Sequence, residues 1–185
     1  MIFPLFRRPQ RSDTISSLYG MIVAQARRPV FYREYGVADT VAGRFDLLLL
    51  HIALVVERLM REETGKVCGQ GLFDRFCADM DDNLREMGIG DMSVPRHMKR
   101  VGEAFYGRTQ AYQAALAAAD DQALAEALVR NIYGGATSSA AAVSHLAAYI
   151  RRLASALAVQ PVAALIEGHV DLPDPAVIVP AVEQA

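Results

Sequence analysis

Apolar positions recur at helical spacing along almost the whole chain. Ile15, Leu18, Tyr19, Ile22, Val23 and Ala26 fall at i, i+3, i+4, i+7, i+8 and i+11, one face of a helix over 13–28. Ser12 or Asp13 is its expected cap, and Pro29 its stop. A short connecting piece at 30–39 follows. Asp39 or Thr40 then starts a long helix to about Arg61. Its main stripe is Val41, Phe45, Leu48, Ile52, Val55 and Leu59, and Leu47, Leu50 and Leu54 carry the apolar surface most of the way round. A helix that is apolar nearly all round belongs at the centre of a bundle.

Gly65, Gly69 and Gly71 are expected to loosen the chain before a third helix at about 72–87, faced by Phe73, Phe76, Cys77, Met80, Leu84 and Met87. Gly88 suits its C-cap, because a left-handed residue costs glycine nothing there. Ser93 is the expected cap of a fourth helix, with Pro95 in its first turn, that runs to about Ala119. Met98, Val101, Phe105, Tyr112 and Leu116 point inward.

Beyond Tyr112 the bulk changes. Residues 111–164 hold twenty alanines and three aromatics, so later helices can approach closely. Asp120 caps a helix with Leu124, Leu128 and Ile132, and Gly134 and Gly135 break it. Val143, Leu146, Ile150, Leu153 and Leu157 mark a last strong helix, followed by a short turn after Pro161. Pro173, Pro175 and Pro180 remove backbone donors and read as an extended tail. No strand pattern and no repeat is evident. The expected fold is an all-α, single-domain bundle of six or seven helices over 12–168, with a flexible segment at 1–11 and a proline-containing tail at 169–185.

Composition narrows the function classes. A chain of 185 residues that is 52% hydrophobic can bury a core without staples, and two cysteines are too few for a disulfide scaffold. The net charge of −2 excludes a wholesale polyanion binder but conceals alternating blocks. Residues 1–44 carry +4, 57–92 carry −4, 93–119 carry +3 and 120–185 carry −4. The apolar run at 47–56 is too short for a membrane span. The order of the N-terminal residues, apolar before basic, is the reverse of a signal peptide, and free thiols suggest a reducing compartment. Ile2, Phe3, Leu5 and Phe6 ahead of Arg7, Arg8 and Arg11 leave contact with a membrane surface open.

Catalytic and metal motifs are missing. There is no Glu-x-x-His, His-Glu-x-x-His, Cys-x-x-Cys-His, phosphate loop or Gly-x-Ser-x-Gly. No cofactor is expected. The acidic run Asp79, Asp81, Asp82 lacks the glycine and distal glutamate of a calcium loop, and Arg85 stands four residues after Asp81. With Glu86, this reads as a solvated or partner-facing acidic face. Arg44, His51 and Arg58 are seven apart, one polar stripe on an apolar helix. The stripe either pairs with acids of the third helix, such as Asp74 or Asp81, or forms a groove that grips a partner. Arg96, His97, Lys99 and Arg100 crowd the positive end of a helix dipole, which suggests a role outside helix stability on an anionic surface such as RNA, an acidic protein or lipid. Tyr106 and Met92 are the best candidates for exposed contact residues, and Arg108 joins the basic face.

Several segments, in order, carry a family resemblance: LY at 18–19, IVAQAR at 22–27, Pro29 with FY at 31–32, GVADT at 36–40, GRFD at 43–46, LH at 50–51, LFD at 72–74, DMDDNLREMG at 79–88, VP at 94–95, EAFYGR at 103–108 and AY at 111–112. Over about 18–116 the chain resembles the ubiquinol–cytochrome c chaperone family. Ala38 stands where the family pattern has proline before Asp-Thr. The resemblance implies an assembly chaperone, not an enzyme, that binds newly made cytochrome b of complex III. It implies mitochondrial relatives that act near the ribosomal exit with a small partner protein. Without an Arg-rich leader ahead of the domain, the chain looks like a bacterial member acting in the cytoplasm near the inner membrane, with no DNA partner. The rival expectation is an RNA- or ribosome-binding factor that uses Arg96, Lys99 and Arg100.

Overall fold

The computed structural model describes residues 8–118, 120–135 and 139–177. Its elements are α1 (Arg8–Ala26), α2 (Val30–Arg33), α3 (Val41–Met60), α4 (Lys66–Glu86), α5 (Val94–Ala117), α6 (Gln122–Asn131), α7 (Ala140–Val159) and α8 (Val162–Ile166), with 3-10 turns at Glu63–Gly65 and Pro175–Val177. There are six helices of ten residues or more and two short ones, and no strand among the described residues. The all-α expectation holds.

The sequence of α3 explains its place. Leu47, Leu49, Leu50, Ile52, Val55 and Leu59 have no accessible surface, and α1, α4, α5, α7 and α8 all pack against this one helix. Each such side chain contributes about 1.5–3 kcal/mol by leaving water. Thr40 caps α3 by accepting the Gly43 N–H at 3.1 Å. At the far end of α4 the chain closes as a Schellman turn. The Ile89 N–H bonds the Leu84 carbonyl (3.0 Å), the Gly88 N–H bonds Arg85 (2.9 Å), and Gly88 takes φ +81°.

Four expectations need correction. α1 begins at Arg8, so Asp13 lies inside it and residues 8–11 are helical; residues 1–7 lie outside the described residues. α4 begins at Lys66, six residues early, because Gly69 and Gly71 are helical contact points. A Cβ on Gly69 would stand 3.1 Å from the Met60 sulfur, and one on Gly71 2.4 Å from Ile15 Cδ1. These glycines let α4 close on α3 and α1. Ser93 sits at the N-cap of α5 but is helical, and its side chain makes no capping bond.

The fourth correction concerns the tail. Residues 171–174 carry neither helix nor strand, Pro175–Val177 form a 3-10 turn rather than extended chain, and this stretch is tied to the bundle. Gln25 donates to the Pro173 carbonyl (2.7 Å), Tyr35 donates to that of Pro175 (2.7 Å), and Arg28 pairs with Asp174 (2.8 Å). Pro180 lies outside the described residues.

Candidate functional site

The polar stripe of α3 is not a groove. His51 is fully buried, and Arg58 is 9% exposed. Neither meets Asp74 or Asp81; besides the local Leu47 and Glu62, their partners lie on α7 or at its C-cap, about a hundred residues away in sequence. His51 Nδ1 lies 2.7 Å from the Leu47 carbonyl and Nε2 2.8 Å from the Tyr149 hydroxyl. A carbonyl only accepts, so Nδ1 carries the proton, and Tyr149 donates to Nε2. Gln25 in turn donates to the Tyr149 oxygen at 2.9 Å. Burial pushes the His51 pKa down to about 4, against a smaller upward pull from its bond to Leu47. Arg58 donates to the carbonyls of Leu157 (2.9 Å) and Gln160 (2.8 Å) and pairs with Glu62 at 2.8 Å. It therefore caps the negative end of α7. Arg44, the third member of the stripe, is exposed and pairs with Asp39 at 2.6 Å.

The other candidate residues scatter over several surfaces. Asp81 pairs with Arg85 (2.6 Å), which also bonds Asp91, while Asp82 and Glu86 are exposed on the last turns of α4. Met92, 96% exposed, lies in the loop between α4 and α5. Arg96 and Arg100 are exposed and form no ion pair among the described residues, and Lys99 lies 3.8 Å from Glu103. Tyr106, also exposed, packs edge-on to Phe105 and leans on Phe73, its ring centroid 5.6 Å from each, in a crevice of about 410 Å³ between α3, α4 and α5. Arg108 is held inside the fold. It pairs with the half-buried Asp46 and stands 5.9 Å over the Phe45 ring, tying α5 to α3. Burial raises the Asp46 pKa in spite of Arg108.

An open concavity lies at one end of the bundle, where the C-termini of α1 and α4 meet the N-terminus of α3. It holds about 630 Å³, within the usual range for a binding cleft. Its lining is mostly apolar: Val23 and Ala26 from α1, Val41, Phe45 and Leu48 from α3, Met80, Leu84 and Met87 from α4, and Val101 from α5. Val41 and Met87 are 70% and 63% exposed. Asp79 also lines it, and Tyr19 holds that carboxylate from within the core. The Tyr19 hydroxyl donates to Asp79 at 2.7 Å, and burial raises its pKa, as does that bond. Arg27 and Arg44 stand on the rim and also line a second recess of about 260 Å³, completed by Pro29, Tyr32, Arg33 and Asp39.

Arg27, Arg33 and Val41 were not singled out as site residues in the sequence. The +4 block at 1–44 was the available signal, but where its members converge depends on how α1, α2 and α3 pack. Among the described residues no cluster of His, Cys, Asp and Glu could hold a metal ion, and no helix is long and apolar enough to cross a membrane.

These features define an all-α, single-domain bundle with a preformed apolar cleft at one end. The chain belongs to the ubiquinol-cytochrome C chaperone family, whose pattern matches residues 33–172. It is similar to the crystal structure of the Cbp3 homolog from Brucella abortus, with 40% identity, coverage of 95% of this chain and 98% of that one, and a TM-score of 0.85. It is also 24% identical over 136 residues to ubiquinol-cytochrome-c reductase complex assembly factor 1 of Xenopus laevis, covering 73% of this chain and 68% of that protein. The factor of the same name from Drosophila melanogaster is 28% identical over 149 residues, 76% of this chain and 56% of that one.

Proposed function

We propose that this protein is an assembly chaperone that binds newly made cytochrome b and supports biogenesis of the cytochrome bc complex. Membership of the chaperone family carries the reading, and the names of the two curated relatives, both reductase complex assembly factors, agree with it. The open cleft adds physical support. A chaperone for a membrane protein must shelter apolar segments before they reach lipid, and Met80 and Met87 supply an adaptable lining for unlike side chains. The work is done on the cytoplasmic side, close to the inner membrane. Deleting the gene is expected to lower assembled bc complex and haem b absorbance while the cytochrome b transcript stays normal. A deletion strain with unchanged spectra and quinol–cytochrome c activity would reject the reading.

A second reading is favoured by one observation, the exposed Arg96 and Arg100 at the start of α5, which form no ion pair among the described residues. In it, this end of α5 contacts RNA or the ribosome. Affinity for ribosomes should then fall steeply with salt, and reversing Arg96 and Arg100 should abolish it. Cosedimentation that ignores both changes would reject it.

A further inference from the structure

The apolar cleft and the arginine recess share Arg27 and Arg44, so they form one amphiphilic site. The recess sets three guanidiniums against one carboxylate, that of Asp39. Asp39 is engaged by Arg44, whose hydrogen bond holds the carboxyl below its ordinary pKa. Arg27 and Arg33 are exposed and form no ion pair among the described residues. Arginine presents a planar fork that matches a carboxylate with two parallel hydrogen bonds. An occupant of the cleft is therefore met by apolar walls, by the Asp79 carboxylate that Tyr19 and Arg75 already engage, and then by the unneutralised positive charge of Arg27 and Arg33.

The geometry points to an apolar peptide segment with an acidic flank as the ligand of this site, its side chains between α1, α3 and α4 and its carboxylates at Arg27 and Arg33. This rests on the chaperone reading and adds to it the chemical class and polarity of the client segment. Length fits a piece of a client rather than a whole membrane span. The lining stretches 41–48 of α3 and 80–87 of α4 each rise about 10 Å, which is about two turns of a helix. Charge on the neighbouring surface disfavours an anionic bilayer. Asp82 and Glu86 are exposed beside Leu84 and Met87 and would repel lipid headgroups over the area that a membrane needs.

The test uses the purified full chain and fluorescent probes of about ten residues, enough for two helical turns with flanks. One probe is a Leu/Ala segment ending in two aspartates; its twin ends in two lysines. The acidic probe is expected to bind about tenfold tighter, with a preference that shrinks as salt is raised. The double variant Arg27→Glu, Arg33→Glu should invert the preference, and Val41→Asp should weaken both probes. Equal binding of the two probes, a preference unchanged in the double variant, or tighter binding to phosphatidylglycerol vesicles than to either peptide would overturn the assignment. Because the probes are read on purified protein and the chaperone reading is read in cells, failure of one is separable from failure of the other.

Discussion

Two regions of this bundle use the same kinds of residue to opposite ends. Along the α3–α7 seam, His51, Arg58, Gln25 and Tyr149 are buried or nearly so, and each makes a direct hydrogen bond within the fold. At the end of the bundle near Val41, Val41 and Met87 stay open and Arg27 and Arg33 form no ion pair among the described residues. A polar group inside an apolar seam must be partnered, because leaving it bare costs about 1–3 kcal/mol. An exposed cation carries no such penalty, so it stays free at little cost to stability. The seam is therefore where stability should be sensitive, and the cleft is where function should be.

Arg58→Met should give the largest loss. It strips three bonds from the end of α7 and from Glu62, and a decrease of about 3 kcal/mol in urea unfolding is expected. A loss below about 1 kcal/mol would mean that water caps those carbonyls as well as the guanidinium does.

His51 should make the seam sensitive to acid. Its folded pKa of about 4 lies below its ordinary value, so below pH 6.5 the unfolded chain binds a proton that the native seam refuses. Its contribution is whole above pH 6.5 and fades as pH falls toward 4, by at most about 3 kcal/mol. His51→Leu is expected to start less stable at neutral pH, since it leaves Tyr149 without its acceptor, but to lose less on acidification across that window. Parallel curves for the two proteins would show that His51 is already charged in the fold.

Tyr149→Phe should cost less, about 1–2 kcal/mol, because it deletes one hydroxyl while the ring still fills its place against Phe31. This seam also marks the limit of what the sequence discloses. Helical spacing identified α3 and its burial, since periodicity is a local property. It could not find the partners of His51 and Arg58, which come from residues 149, 157 and 160 and depend on how α7 docks. Gly69 and Gly71 misled for a related reason. Helix-breaking tendency can be read locally, whereas the close approach of Met60 and Ile15 that calls for glycine is tertiary. The family resemblance was legible because it rests on the order of residues. The cleft was not, because Phe45, Met80 and Leu84 look like any core stripe until the packing leaves one end open.

The smallest stability change should come from Arg27→Glu with Arg33→Glu, and this is the sharpest test of the contrast. Both side chains are exposed and form no ion pair among the described residues, so unfolding should shift by no more than about 0.5 kcal/mol. In a deletion strain, however, this variant should restore little bc complex, because its cleft now repels an acidic flank. Tyr149→Phe in the same strain should restore most of the complex despite its weaker fold, provided that cells grow well below its melting point. Assembly that followed stability, with the rim variant rescuing fully and Tyr149→Phe failing, would erase the distinction between the two regions. Assembly that followed the rim places the working surface where α1, α3 and α4 end together, since only there would a charge change that leaves the fold intact remove the function.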